Sequence, residues 1–466
     1  MELFKLKDYA LEDTIAAIAT YPAKSALGVI KISGKKALRI ISKIFRPARK
    51  KDMKKVKTFT LHYGWIVNPL DKKVVDEVLV SVMRKPFSYT REDVVEISSH
   101  GGVLVLDKIL KLVLREGARL AKPGEFSYRA FINGRVDLLQ VQSILNIVEA
   151  STEKALFSAA EQLKGDASSF LRELKERIKN VYIHTQAIID FPEEEIEIEE
   201  SRVKRRIERI KKDIEKIKKA SFWGQILKEG VTCVICGKTN VGKSTLFNSL
   251  IEKEKALVTK IAGTTRDAVE ESVNIGGIYL HLYDIAGIMK SKSLIERKAI
   301  KKSFQKLEEA DIVIFVFDYS RQLSKDDYLL LEKVKNKNKK VIYVINKVDL
   351  KRKIDLKKIR QLTPQIKLSA LKKTGLDRLK GEIASLVSKE GLEKENAIFL
   401  AHWQREILKK IEENLRKALF YLDKKYTIDF VNFSLKEIIE DLDKIMGVSL
   451  EKEILESLFS QFCIGK

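Results

Sequence analysis

Gly237, Gly242, Lys243 and Ser244 carry the first chemistry in this chain, standing as G-x-x-x-x-G-K-S inside VTCVICGKTNVGKSTLFNSL at 231–250. Glycines at this spacing let backbone N–H groups wrap a polyphosphate, while the lysine reaches its outer oxygens. Ser244 offers a hydroxyl to Mg²⁺, and Asn240, Val241 and Thr245 flank the same anion. The elements that must hold this turn are legible on both sides. The apolar run before Gly237 predicts a strand, and Leu246, Phe247 and Leu250 predict one face of a helix whose N-terminal N–H groups add to the anion site. The loop alone does not choose between adenine and guanine.

Later residues choose. Asn346, Lys347, Val348 and Asp349 (NKVD) close the apolar run VIYVI, which places them at the C-terminal end of a buried strand, where open α/β sheets bind ligands. A carboxylate there accepts both the ring N–H and the exocyclic amine of guanine. Ser369, Ala370 and Leu371 would complete the base pocket with backbone N–H. Asp284, Ile285, Ala286 and Gly287 (DIAG) end the strand-like IYLHLY, with a carboxylate for Mg²⁺ and a glycine for the γ-phosphate. Thr259, Lys260, Ile261 and Ala262 lead into GTTRD, where Gly263, Thr264 and Thr265 form a switch loop ordered by metal and γ-phosphate. In this order and spacing the set predicts a guanine nucleotide site.

The 466 residues allow about three domains of the usual 100 to 200 residues. A formal charge of +24 makes a polyanion partner plausible, although the lysines are spread along the chain. Cys233, Cys236 and Cys463 are too few for a disulfide framework, as suits a reducing compartment. The odd spacing of the first two points them to opposite faces of one strand, so core thiols are expected and not a metal pair. The opening MELFKLKDYALEDT has no apolar signal core and IVIFVF is too short to span a bilayer, so a soluble, cytoplasmic protein is expected.

Residues 1–125 read as an α+β domain: ALGVIKISG and DEVLVSVM alternate with the helical KKALRIISKIF and VLVLDKILKLVLREG. Lys31, Glu96 and Arg135 draw attention there. From the residues alone, Lys31 and Arg135 read first as solvated, Glu96 as the exposed face of a strand, and His100 as a turn histidine. Segments 126–221 and 384–466 are helical, broken at Asp190-Phe191-Pro192, and neither can bury its apolar stripe alone. One α-helical bundle interrupted by an inserted α/β Ras-like G domain at 222–383 is therefore expected. Leu450, Ile454, Leu455, Leu458, Phe459 and Phe462 form a stripe that should dock the last helix. Beyond it, Gly465 frees the backbone and Cys463 and Lys466 bring a thiol and an ammonium. From these residues a functional tail and an idle one stand equal.

With DTIAAIAT near the start, KISG at 31–34, GARLAKPGEFSYRAFINGRVDL at 117–138, DFPEEE at 190–195, AGTTRD at 262–267 and the terminal FCIGK, the chain resembles the tRNA modification GTPases of the MnmE (TrmE) family along essentially its whole length. The resemblance implies a tetrahydrofolate-binding N-terminal domain that forms a homodimer. It also implies a heterotetramer with the flavin-dependent MnmG (GidA), which together install a carboxymethylaminomethyl or aminomethyl group at the 5-position of wobble uridine in tRNA. Lys31, Glu96, Arg135 and Lys466 would contact 5-formyl- or 5,10-methylene-tetrahydrofolate, with Cys463 among the catalytic residues. Asn240, Thr259, Ile261 and Thr264 would hold K⁺, and Ser244 and Thr265 the Mg²⁺. Glu296 falls on the family's catalytic glutamate, beside Lys243. Ile288 stands where Ras-like proteins orient water with glutamine, which leaves a monovalent cation to supply positive charge. Lys31 replaces the family's arginine and Ala299-Ile300-Lys301-Lys302 its G-I-E-R, while Ile285 stands where the commoner D-T-A-G has threonine.

A ribosome-assembly or RNA-binding switch GTPase would share the G domain but should carry an appendage such as a KH-like module with a GXXG loop. The sequence has none, and FCIGK argues the other way.

Overall fold

Alternation builds the first sheet. In β2 (Ser25–Ser33), Ile30 and Ile32 are buried while Lys31 between them faces the other side. The computed structural model describes residues 12–190, 200–252, 270–284, 306–335, 339–388, 397–450 and 452–466. Contacts divide the chain into two compact units, one of Met1–Leu145, Gln162–Asp213 and Ala401–Lys466, the other of Asn146–Glu161 and Ile214–Leu400.

In the first unit, β1 (Ile15–Ile18), β2, β3 (Phe45–Pro47), β4 (Thr60–Val67), β5 (Val74–Met83), β6 (Val94–Gly101) and β7 (Arg119–Leu120) form one sheet in the order β3-β4-β5-β6-β2-β1-β7. The helices α1 (Ala37–Ile44) and α2 (Val103–Arg115) cover one face, where Ile40, Ile41, Leu106 and Ile109 join Ile30, Val80 and Ile97 in a single core. The remaining helices follow the 3.6-residue stripes in the sequence. They are α3 (Glu125–Ile132), α4 (Leu138–Glu149), α5 (Glu153–Lys164), α6 (Asp166–Asp190) and α7 (Glu200–Glu229), of which α4, α5 and α7 each lie partly in residues assigned to the second unit.

In the second unit the P-loop strand β8 (Val231–Cys236) lies inside a six-stranded sheet with β9 (Glu270–Ile275), β10 (Ile278–Asp284), β11 (Ile312–Asp318), β12 (Lys340–Asn346) and β13 (Gln365–Lys367). The order is β13-β12-β11-β8-β10-β9, parallel except for the β9–β10 hairpin. Helices α8 (Lys243–Glu252), α9 (Lys325–Lys335) and α10 (Leu376–Ser388) accompany it. Cys233 and Cys236 go to the cores on opposite faces of β8, as their spacing predicts. Burial raises both thiols, Cys236 to about 12. Among the described residues no cluster of His, Cys, Asp and Glu could hold a metal ion.

The C-terminal helices α11 (His402–Asp423), α12 (Ile428–Met446) and α13 (Lys452–Ser460) return to the first unit. Leu435, Ile438 and Leu442 of α12 pack with the buried stripes of α6 and α11, and a buried Thr185–Asn432 hydrogen bond of 2.7 Å fixes the register of α6 on α12. The fold class read from the sequence holds: an α+β N-terminal part, a helical part from two stretches, and an inserted P-loop G domain. No described helix is long and apolar enough to cross a membrane.

Candidate functional site

The P-loop turn is possible only because its glycines lack side chains. Gly237 has φ +146° and a Cβ there would lie 2.5 Å from Val316 O; at Gly242 a Cβ would lie 2.3 Å from Asn346 Nδ2. Asn240 takes a left-handed φ of 63° at the crest and is exposed. Lys243, buried at the start of α8, donates to Lys238 O at 2.9 Å, so its ammonium stands inside the turn. Burial pushes its pKa down and the nearby Asp284 carboxylate opposes this, so an anion in the loop would be drawn to a cation short of solvent.

Ser244 Oγ donates to Asp284 Oδ2 at 2.6 Å, joining the head of α8 to the end of β10. Asp284 Oδ1 is buried and has no hydrogen-bond partner among the described residues. A hydroxyl and an unsatisfied carboxylate oxygen are the hard donor set that Mg²⁺ takes, so these two residues fit that ion. Thr245 beside them is exposed, and Val241 is buried beneath the loop.

The base side is built at the ends of β11 and β12. Asn346 Nδ2 donates to Val241 O at 3.0 Å, and its Oδ1 accepts from Lys347 N at 2.8 Å and Ala370 N at 2.9 Å. One buried amide thus ties three loops together. Lys347, at φ 67°, donates to Asn240 O and to Asp318 Oδ2, both at 2.7 Å. Val348 N bonds Leu368 O, Ser369 pairs with Thr374, and Ser249 Oγ of α8 holds Ala370 O. Asp349 and Leu371 are exposed at the rim. Asp318 was not anticipated from the sequence. Burial alone would raise its carboxyl pKa, but hydrogen bonds from Lys347 and Ser320 hold it below the ordinary value. The available signal was an aspartate ending the apolar strand IVIFVFD.

Thr259, Lys260, Ile261, Ala262, Gly263, Thr264, Thr265, Ile285, Ala286, Gly287 and Glu296 lie outside the described residues.

In the first unit, Lys31 and Glu96 are cross-strand partners, with Lys31 Nζ 3.6 Å from Glu96 Oε1. The same ammonium stands 5.4 Å from the Phe126 ring and 5.7 Å from the Tyr89 ring. The expectation that Lys31 is solvated is therefore corrected: its side chain is 18% exposed, because two rings and a carboxylate replace most of its water. Glu96 is half-buried, and Arg135 is exposed as read. Burial raises the Tyr89 phenol while Ser127 and the Arg135 charge oppose it, which places Arg135 in the same neighbourhood. His100 is corrected from a turn to the end of β6, where Asp76 Oδ1 lies 2.7 Å from its Nδ1 and raises its pKa.

The sequence reading also missed what holds Phe126. Its neighbour Glu125 and Arg129, one turn on, are fully buried and paired at 3.1 Å. Arg129 continues to Asp13 at 2.6 Å and to Glu92, and Arg119 grips both Glu125 and Asp13 at 2.6 Å. This network pins α3 to the entry of β1. The i, i+4 charges in the otherwise apolar EFSYRAFI were the signal.

The tail is docked. Leu455, Phe459 and Phe462 are buried with Tyr128 and Leu138, and Leu450, Ile454 and Leu458 are half-buried. Gly465, at φ 97°, packs so closely that a Cβ would lie 2.9 Å from Ala19 Cα and Ile18 O. Since Ala17 pairs with Lys31, this brings the chain end onto the strand pair that carries Lys31. Cys463 and Lys466 are exposed there.

A sheet parallel but for one hairpin, with a glycine-built phosphate loop, a Ser–Asp pair that fits Mg²⁺ and NKVD at a strand end, is the architecture of a P-loop GTPase. Family profiles match along the chain: "GTP-binding protein TrmE N-terminus" over residues 14–135 and "MnmE helical domain" over 138–463, a range that spans the phosphate loop. The tRNA modification GTPase MnmE of Thermoanaerobacter pseudethanolicus is 43% identical over 459 residues, covering 97% of this chain and 99% of that protein. That of Bacillus subtilis is 40% identical over 461 residues, covering 97% and 100%. The chain belongs to the tRNA modification GTPase MnmE family, and it is a GTP hydrolase of the kind that binds GTP with Mg²⁺.

Proposed function

We propose that this protein hydrolyses GTP in a K⁺-dependent way and, with a flavin-dependent partner of the MnmG type, modifies the 5-position of wobble uridine in tRNA with a tetrahydrofolate one-carbon unit. The observation that carries the reading is the Lys31–Glu96 pair, with the Lys31 ammonium beside two aromatic rings and Gly465 packed against the end of the neighbouring strand β1. GTP hydrolysis has no use for such a cluster. A carboxylate that can accept two parallel N–H groups, beside stacking rings and a cation, suits a flat pterin with an anionic tail. Folate would supply the one-carbon unit; Glu96 would orient the ring, and Lys31, Arg135 and Lys466 would meet its charges. Cys463 stands within three residues of Lys466.

In the G domain, Lys243 and the P-loop N–H groups would hold the outer phosphates, Ser244, Thr265 and Asp284 would hold Mg²⁺, which would neutralise phosphate charge, and Asp349 would select guanine. K⁺ would add positive charge where charge builds between the β- and γ-phosphates. Its ligands in this reading are Asn240, whose exposed amide is a hard oxygen donor, with Thr259, Ile261 and Thr264. Glu296 orients the attacking water. We assign residues 1–125 to the folate-binding, dimerising domain, 126–221 and 384–466 to the helical domain, and 222–383 to the G domain.

Mass spectrometry of wobble nucleosides from cells lacking this chain tests the reading. Loss of the 5-aminomethyl-type nucleosides is expected, and an unchanged profile overturns it. Replacing K⁺ by Na⁺ should depress GTP turnover, and equal rates in both salts would remove the cation from the mechanism.

A further inference from the structure

Arg202, Arg205, Arg209 and Lys212 sit on α7 at spacings that put them opposite its buried Val203, Ile207 and Ile210. All four are exposed, and at 1.5 Å per residue the row runs about 15 Å. Glu208 flanks it, and the sequence just before it is acidic, with Glu193, Glu194, Glu195, Glu197, Glu199 and Glu200. On the adjoining side Lys204 pairs with Asp423, the last residue of α11, so that carboxylate is already answered. Exposed Lys424 and Lys425 follow at once.

Next to them is an aromatic corner. Tyr421 and Tyr426 contact Phe420 and Phe430 with ring centroids 5.2 to 6.2 Å apart. Phe420, Tyr426 and Phe430 are each about half exposed, and Phe433, one turn further along α12, is 63% exposed. Asp423 and Asp429 are the acids within this stretch, the first paired with Lys204. Rings left in water beside a row of guanidinium groups are the two halves of a nucleic-acid surface: Arg forks grip phosphate oxygens, and flat rings stack bases. An acidic protein would answer the cations but not the open rings.

We propose that this face of the helical domain binds RNA, the α7 row taking phosphates and the aromatic corner taking unpaired bases of a loop. Its identification with tRNA rests on the function proposed above. The test titrates the full-length protein with a fluorescent tRNA transcript at several salt concentrations. Changing Arg202, Arg205 and Arg209 to Gln should weaken binding more than tenfold. It should also flatten the dependence of log Kd on log salt by about 2 to 3, at roughly 0.7 to 0.9 per lost phosphate contact. Tyr426→Ala with Phe433→Ala should weaken binding roughly five- to hundredfold with the salt slope kept, and should not affect binding of a fully paired RNA duplex. GTP turnover without RNA should be unchanged in both. Wild-type affinity in both variants overturns the proposal. So does retained RNA binding with loss of co-purification of the flavin-dependent protein, which would make this a protein-docking face. If the wild-type protein modifies tRNA while the variants bind like it, only this surface is wrong; if the wild type neither binds nor modifies tRNA, the functional reading itself fails.

Discussion

Asp318 shows how a single carboxylate organises the nucleotide site. It is nearly buried, it holds Lys347, and Lys347 in turn holds the P-loop carbonyl of Asn240. Loss of a charged hydrogen bond of this kind costs about 1.5 to 3 kcal/mol, so Asp318→Asn should weaken GTP and GDP binding roughly tenfold or more by equilibrium titration. Unchanged affinity would sink the assignment. Because the folded carboxyl lies below the ordinary 3.8, it stabilises the fold above that pH, and this contribution is lost as pH falls through the folded value. Thermal midpoints of the nucleotide-free protein should therefore drop below about pH 4 in wild type, and less steeply in Asp318→Asn. Asp349, at the rim, should govern base choice without touching this scaffold. Asp349→Asn should exchange guanine for xanthine nucleotides in competition binding, since the amide donates to the 2-oxo group; equal GTP binding by the variant would remove Asp349 from base recognition.

Among the elements, two glycines make opposite predictions. Gly465, next to the last residue, lies at φ 97° against the backbone of Ile18 and Ala19, so Gly465→Ala must push the tail off β1. Nucleoside analysis should show reduced tRNA modification, while GTP turnover and melting temperature stay near wild type because only the final residues move. Normal modification would mean that the tail's close fit is incidental. Gly381, inside α10, has open space where its Cβ would stand. Gly381→Ala should stabilise the protein by about 0.5 to 1 kcal/mol in chemical denaturation, through helix propensity alone. A destabilised variant would contradict that packing.

At the scale of the whole chain, the nucleotide residues and the Lys31 cluster belong to different compact units. Removing residues 463–466 should therefore abolish tRNA modification and leave GTP hydrolysis within about twofold, since none of the nucleotide residues named above belongs to that segment or bonds to it. A comparable loss of hydrolysis would show that the tail supports the G domain. Cys463→Ser separates thiol chemistry from placement: full modification by that variant excludes a covalent role.

The sequence by itself determined whatever depends on short spacing. The P-loop, NKVD, the opposed faces of Cys233 and Cys236 and the apolar stripe from Leu455 to Phe462 are all local. Strand and helix periods of two and 3.6 residues carry such information directly. Folding decided the rest. Arg129 meets Asp13 across 116 positions, Ser33 meets Glu92 across 59, and Lys347 meets Asp318 across 29. No spacing rule links such pairs, and a charged residue reads as solvated until topology shows what shields it. Lys31 was misread for that reason: its neighbours Phe126 and Tyr89 arrive from a helix and a loop far along the chain, and only their packing replaces its water with rings.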